Sequence, residues 1–192
     1  MRVSLIRHGE TEWSRSGQHT GTTDLPLLPE GERAAELAGK RLRQVHFDLV
    51  LSSPLQRARR TAEIAGLVPY EVEDDLREWN YGEYEGRTTA DIRKERPGWD
   101  IWRDGCPGGE PLAELAVRAD RIIARVLESG AERVALVAHG HLLRVLGARW
   151  GEMDPSAGGH LGLGTAAICE LGFERERRVI WQWNGTSHLE HQ

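Results

Sequence analysis

The sequence predicts an α/β fold: a single domain over residues 1–192, with a mainly parallel central sheet of about five to six strands and helices on both faces. Three observations carry that expectation. Short apolar runs, Val3–Ile6, Leu49–Leu51 and Val134–Ala138, are too brief for helices and stop abruptly at Arg7, Ser52 and His139. Longer stretches between them, Pro29–Val45 and Pro111–Glu128, place apolar residues at helical spacing. A chain of 192 residues with 39% hydrophobic content can also bury one sizeable core without dividing in two.

In chain order, Arg2–Arg7 is the first strand, and a helix rich in Ala, Leu, Glu and Arg runs from Pro29 to Val45. Asp48–Ser52 is the second strand. Ser53 is the expected N-cap of the next helix, Pro54–Ala65, with Pro54 at the first position, where no N–H is needed. A short extended stretch, Tyr70–Val72, leads to an acidic loop around Glu78. Thr88–Arg96 reads as a helix that Pro97 ends. The amphipathic helix Pro111–Glu128, the strand Arg133–Ala138 and the helix His141–Trp150 follow. Ala166–Phe173 and Val179–Trp183 read as a closing pair of strands at the sheet edge, joined by the charged turn Glu174–Arg178. No repeat, low-complexity region or linker interrupts this order.

Two strands end alike, one in Arg7-His8-Gly9 and the other in Ala138-His139-Gly140. Side by side in a parallel sheet, they bring His8 and His139 into one crevice at the strand C-termini. Histidine attacks phosphorus through a neutral ring nitrogen, and its ordinary pKa leaves it largely unprotonated at neutral pH. Arg7 offers a planar fork of donors suited to phosphate, and Gly9 admits a close approach of ligand to backbone. Arg57 lies about one turn inside the helix after Ser53, so it can point back toward the strand ends. These side chains form an oxyanion site. The same fixed positive charges oppose a metal at His8, His139 and His141, and no metal is expected.

The motifs resemble those of the histidine phosphatase superfamily, in its phosphoglycerate mutase-like branch. The family's Arg-His-Gly-Glu-Thr-x-Trp stands here as Arg7–Trp13, and its Ser-Pro-Leu-x-Arg-Ala-x-x-Thr-Ala as Ser53–Ala62. Its Glu-x-x-x-Gly-x-x-Glu-Gly stands as Glu78–Gly86, and its Ala/Ser-His-Gly as Ala138–Gly140. The resemblance implies that His8 is a nucleophile forming a phosphohistidine that water later hydrolyses. It implies that Arg7, Arg57 and His139 clamp the phosphoryl oxygens, and that no cofactor takes part. Glu78 is the expected general acid, with Glu83 the runner-up in a cluster that includes Glu73, Asp74, Asp75 and Glu85.

Substrate contacts are expected from Ser14 (where many members have Asn), Thr20, the backbone of Gly21, and Gly140. Tyr81 is expected as an apolar wall and Arg103 as the holder of a distal phosphate. Trp99 and Trp102 read equally as a sugar wall or as packing for a lid. His141 reads as the first helical turn rather than a partner of His139. His46, His160, His188 and His191 read as surface residues.

Mutases of this branch are usually longer, with an extra basic segment and a C-terminal tail. Here the chain stops soon after Trp183, so a phosphatase acting on a small phosphorylated metabolite is expected. Asp75–Gly86 and Trp99–Cys106 are similar to the sedoheptulose-1,7-bisphosphatase group and related bacterial acid phosphatases, which implies a sugar phosphate or bisphosphate. A phosphoglycerate mutase, a phosphohistidine or phosphoprotein regulatory phosphatase, and a silent binding module are the alternatives. A net charge of −5 argues against nucleic acid or anionic membrane as partner. No apolar run approaches the length of about 18 residues that a membrane span needs, and the N-terminal run belongs to the first strand rather than a signal peptide. Cys106 and Cys169 stand far apart, outside metal or redox spacing. A cytoplasmic location follows, with a homodimer left open and the sequon Asn184-Gly185-Thr186 without consequence.

Overall fold

The apolar runs become neighbouring strands of one sheet. The computed structural model describes residues 1–189, so the surface reading of His191 lies outside them. Strands β1 (Arg2–Arg7), β2 (Leu49–Ser52), β3 (Glu71–Val72), β4 (Arg133–Ala138), β5 (Ile168–Glu174) and β6 (Arg177–Gly185) pair in the order β3-β2-β4-β1-β5-β6. β1, β2 and β3 run parallel to their partners around β4, whereas β5 and β6 complete the sheet antiparallel. The register opposes Arg7 to Ala138, so the residues that follow, His8 and His139, leave the sheet side by side. β1 and β4 are internal strands covered on both faces, which is why they read as continuous apolar runs.

Helices α1 (Glu12–Ser16), α2 (Pro29–Leu42), α3 (Gln56–Ile64), α4 (Thr89–Glu95), α5 (Ile101–Asp104), α6 (Leu112–Glu128) and α7 (Gly140–Trp150) surround the sheet. Side-chain alternation along β1 divides the core. Val3 and Leu5 pack with Leu115, Ile122 and Val126 of α6 and Leu142 and Leu146 of α7. Ile6 faces the other way, against Ala38 and Leu42 of α2 and Ala58 and Ala62 of α3. Among the described residues no helix is long and apolar enough to cross a membrane.

Several boundaries differ from expectation. α2 stops at Leu42 rather than Val45, because Val45 N–H closes back on Leu42 O in a turn. α3 begins at Gln56, with Leu55 in the capping position, so Ser53 and Pro54 precede the helix. Ser53 is drawn instead to the end of β4, as described below. Tyr70 stays out of β3, and its hydroxyl bonds Arg59 and Glu63. β6 is longer than Val179–Trp183 because pairing with β5 extends to Glu174 and Arg177. Gly9 does permit a close approach, but to α2: a Cβ there would lie 2.3 Å from Gly31 O.

Candidate active site

Three adjacent strand ends build the site. His8 N–H donates to Ala138 O (2.9 Å), and Ser53 N–H to Val137 O (3.0 Å), so the ends of β1 and β2 flank the end of β4. The His8 and His139 rings lie 5.1 Å apart. His8 is 4% exposed, and Arg57 and His139 are fully buried. His8 Nδ1 lies 2.7 Å from Gly9 O. A carbonyl only accepts, so Nδ1 carries the proton and Nε2 is left with a free lone pair. Gly9 N–H is in turn held by Thr61 Oγ1 (3.0 Å), whose own proton goes to Arg57 O (2.7 Å).

Burial, followed by the charges of Arg57 and Arg7, holds the His8 imidazole well below its usual value of 6.5. Burial and then Arg57 do the same to His139. Both rings therefore stay neutral as pH falls through the range where a free histidine protonates. An unfolded chain takes up those protons and the folded one does not, so stability declines as pH drops below about 6.5. The check is an imidazole NMR titration with parallel thermal melts. Flat His8 and His139 resonances and a falling melting temperature are expected, whereas ordinary titration near 6.5 would refute the assignment.

Arg57 spends its fork on the protein. Nε donates to His139 Nδ1 (3.1 Å), Nη1 to Thr23 O (2.8 Å), and Nη2 to Thr20 O (3.1 Å) and Gly21 O (3.0 Å). It thereby ties α3 to the 20–23 loop and to His139. Arg7 Nη1 donates to Leu163 O (2.6 Å), while its buried Nε finds no partner among the described residues. A Cβ at Gly140 would come within 3.3 Å of that guanidinium, so the glycine leaves room for Arg7.

Glu78 is 7% exposed and sits at the start of α7. Its Oε2 accepts from His141 N–H (3.0 Å), and its Oε1 from Leu142 N–H (2.9 Å) and Trp79 N–H (2.9 Å). A helix N-terminus presents unpaired N–H groups that suit such a carboxylate. Glu83, the alternative acid, is exposed, so geometry favours Glu78. Beside Glu78, Tyr81 Oη lies 2.6 Å from His141 Nδ1. Burial raises the Tyr81 phenol well above its usual value and lowers His141 well below its own, so the phenol donates and the imidazole accepts. His19, Trp99, Trp79 and Trp102 close an aromatic cluster around this pair.

The structure thus gathers Arg7, His8, Arg57, Glu78, His139 and Gly140, and places Tyr81 next to them. Other expected contacts are redirected. The Ser14 hydroxyl belongs to the capping box of α1, bonding Thr11 N–H (2.8 Å) and Thr11 O (3.0 Å). Thr20 gives its hydroxyl to Gln18 O, and Gly21 gives its N–H to both Glu85 oxygens. Tyr81 is only 2% exposed, so it supports the pocket from behind rather than offering an open wall. Arg103 is exposed and paired with Asp104. Trp99 is buried, and its indole N–H bonds Gly105 O, so packing of its own segment is its role. His141 is bonded to Tyr81 and Glu78, not to His139. His46 and His160 are exposed as expected, whereas His188 is half-buried with Nε2 3.0 Å from Ala166 O.

Two residues were missed. Arg144 stacks 4.7 Å above Trp102, with Nε and Nη2 tied to Gly158 O and Gly159 O. Its position three residues after His141 and four after Gly140 puts it on the same helix face, a signal that helical spacing contains. Ser53 Oγ lies 2.7 Å from His139 Nε2, and no sequence signal separates that from an N-cap. Among the described residues no cluster of three or more His, Cys, Asp or Glu side chains could hold a metal ion.

Comparison with known proteins agrees with this architecture. The family model of the histidine phosphatase superfamily (branch 1) matches residues 3–186. An acid phosphatase of Mycobacterium tuberculosis is 42% identical over 190 residues, 97% of this chain and 94% of its own. Sedoheptulose 1,7-bisphosphatase of Saccharomyces cerevisiae is 38% identical over 88% of this chain and 70% of its own. A solved structure of a Mycobacterium tuberculosis open reading frame superposes with a TM-score of 0.92, at 42% identity over 96% of this chain and 97% of that one. The chain belongs to the histidine phosphatase superfamily, and it is a phosphoric monoester hydrolase.

Proposed function

We propose that the enzyme hydrolyses a small phosphorylated metabolite, a sugar phosphate or bisphosphate, through a phosphohistidine on His8. The observation that carries the mechanism is the Nδ1 bond to Gly9 O, which leaves Nε2 as a neutral nucleophile between Arg7 and Arg57. Nε2 attacks phosphorus, the P–O bond to the sugar breaks, and the leaving alkoxide takes a proton from Glu78. Water then attacks the phosphohistidine, its proton passes to the Glu78 carboxylate, and His8 and inorganic phosphate are released. Arg7, Arg57 and His139 stabilise the phosphoryl charge in transit.

A bisphosphate is supported by Arg144, which takes over the part expected of Arg103. Its Nη1 carries no bond to protein among the described residues, and the guanidinium is already stacked and oriented. The enclosure of His8, 4% exposed, favours a small molecule over a phosphoprotein. Two free cysteines support a reducing, cytoplasmic setting. The test is phosphate release from sedoheptulose 1,7-bisphosphate, a sugar monophosphate, p-nitrophenyl phosphate and a phosphopeptide, with and without EDTA. Turnover favouring the bisphosphate and surviving chelation is expected. Preference for the phosphopeptide would overturn the substrate class, and loss with EDTA restored by magnesium or zinc would overturn the mechanism.

A further inference from the structure

The protons around His139 single out a group that the mechanism above does not use. Arg57 can only donate, so its Nε–H bonded to His139 Nδ1 (3.1 Å) leaves that nitrogen without a proton. Nε2 must then carry the imidazole proton, and it donates to Ser53 Oγ at 2.7 Å. Leu55 N–H donates to the same oxygen at 3.3 Å. Both lone pairs of the Ser53 hydroxyl are occupied, so its own proton needs an acceptor elsewhere. Among the described residues none accepts it, and the side chain is fully buried. A buried donor without an acceptor calls for a ligand. The groups that surround it, His139 and through it Arg57, suit an anion, and the His8 ring is 5.1 Å from that of His139.

We propose that Ser53 is a phosphoryl-binding residue, its hydroxyl oriented by His139 and donating to an oxygen of the transferring phosphoryl group. This rests on the phosphatase reading. With both ring nitrogens engaged, His139 acts on the phosphoryl group through Ser53: its Nε2–H fixes the oxygen, and the serine proton faces the charge that develops. Burial keeps the His139 imidazole neutral, which suits a ring that gives one hydrogen bond and takes another.

The experiment compares wild type with Ser53→Ala, Ser53→Thr and Ser53→Cys on p-nitrophenyl phosphate, with orthovanadate as the transition-state probe. Loss of one preorganised donor predicts that Ser53→Ala lowers kcat by about 10²-fold, weakens vanadate inhibition comparably, and moves KM by less than about threefold. Ser53→Thr should restore most of the rate, and Ser53→Cys, of similar shape but a poor donor, should remain slow even if the alanine variant folds badly. If Ser53→Cys keeps the wild-type rate while Ser53→Ala loses it, Ser53 acts only by its shape, positioning His139, and the proposal fails. It also fails if Ser53→Ala and Ser53→Cys both match wild type while wild type turns over normally. A wild type that hydrolyses no phosphomonoester would instead remove the phosphatase reading, and this inference with it.

Discussion

Replacing His8 with Ala is expected to lower kcat by about 10⁴-fold or more, on every substrate alike, because loss of a nucleophile removes the whole covalent route. Among the described residues the ring is bonded only to Gly9 O, so alanine opens a small polar cavity and leaves the β1–β4 pairing in place. The fold should persist by circular dichroism. Rapid quenching of wild type with a ³²P-labelled substrate should trap an acid-labile, base-stable adduct that the variant lacks. Retention of more than about a hundredth of the wild-type rate would mean that His8 contributes no more than a proton-transfer group does, and the nucleophile would lie elsewhere.

The second large effect concerns the leaving group. Glu78→Gln keeps the shape of the side chain and a carbonyl oxygen for the N–H groups of Trp79 and Leu142, while the amide NH2 replaces the oxygen that accepts from His141 N–H. It removes the transferable proton. Hydrolysis of a sugar phosphate, whose alkoxide leaves poorly, should fall by about 10²–10⁴-fold. p-Nitrophenyl phosphate should be spared by at least about tenfold in relative terms, since its leaving group departs without a proton. Measuring kcat/KM, which reports phosphoryl transfer to His8 and not the later hydrolysis in which Glu78 is the base, separates proton donation in the same variant from misfolding, which would lower both substrates alike. Equal losses would remove Glu78 from the role.

Sequence patterning foretold the gathering of Arg7, His8 and His139 because they lie at the ends of internal strands. Buried on both faces, β1 and β4 must be apolar, so the points where the apolar runs stop, Arg7 and His139, mark where the chain leaves the sheet. Helical spacing likewise brought Arg57 back toward that edge. Ser14, Gly21 and Arg103 bond protein groups that the sequence did not foretell, for a shared reason. Each depends on which of several polar groups a short loop side chain or N–H selects, and the partners lie elsewhere: Thr11 for Ser14, Glu85 for Gly21, Asp104 for Arg103.

What the chain itself determined is therefore the fold class, the strand ends that carry His8 and His139, and the family to which they belong, since periodicity and local motif are properties of neighbouring residues. What only the tertiary structure decided is the state of each group there. The free nitrogen of His8 follows from one carbonyl, the tautomer of His139 from an arginine 82 residues away, and the surplus proton of Ser53 from both partners of its oxygen. Hydrogen-bond direction depends on distance and angle between segments remote in sequence, and no spacing along the chain encodes it.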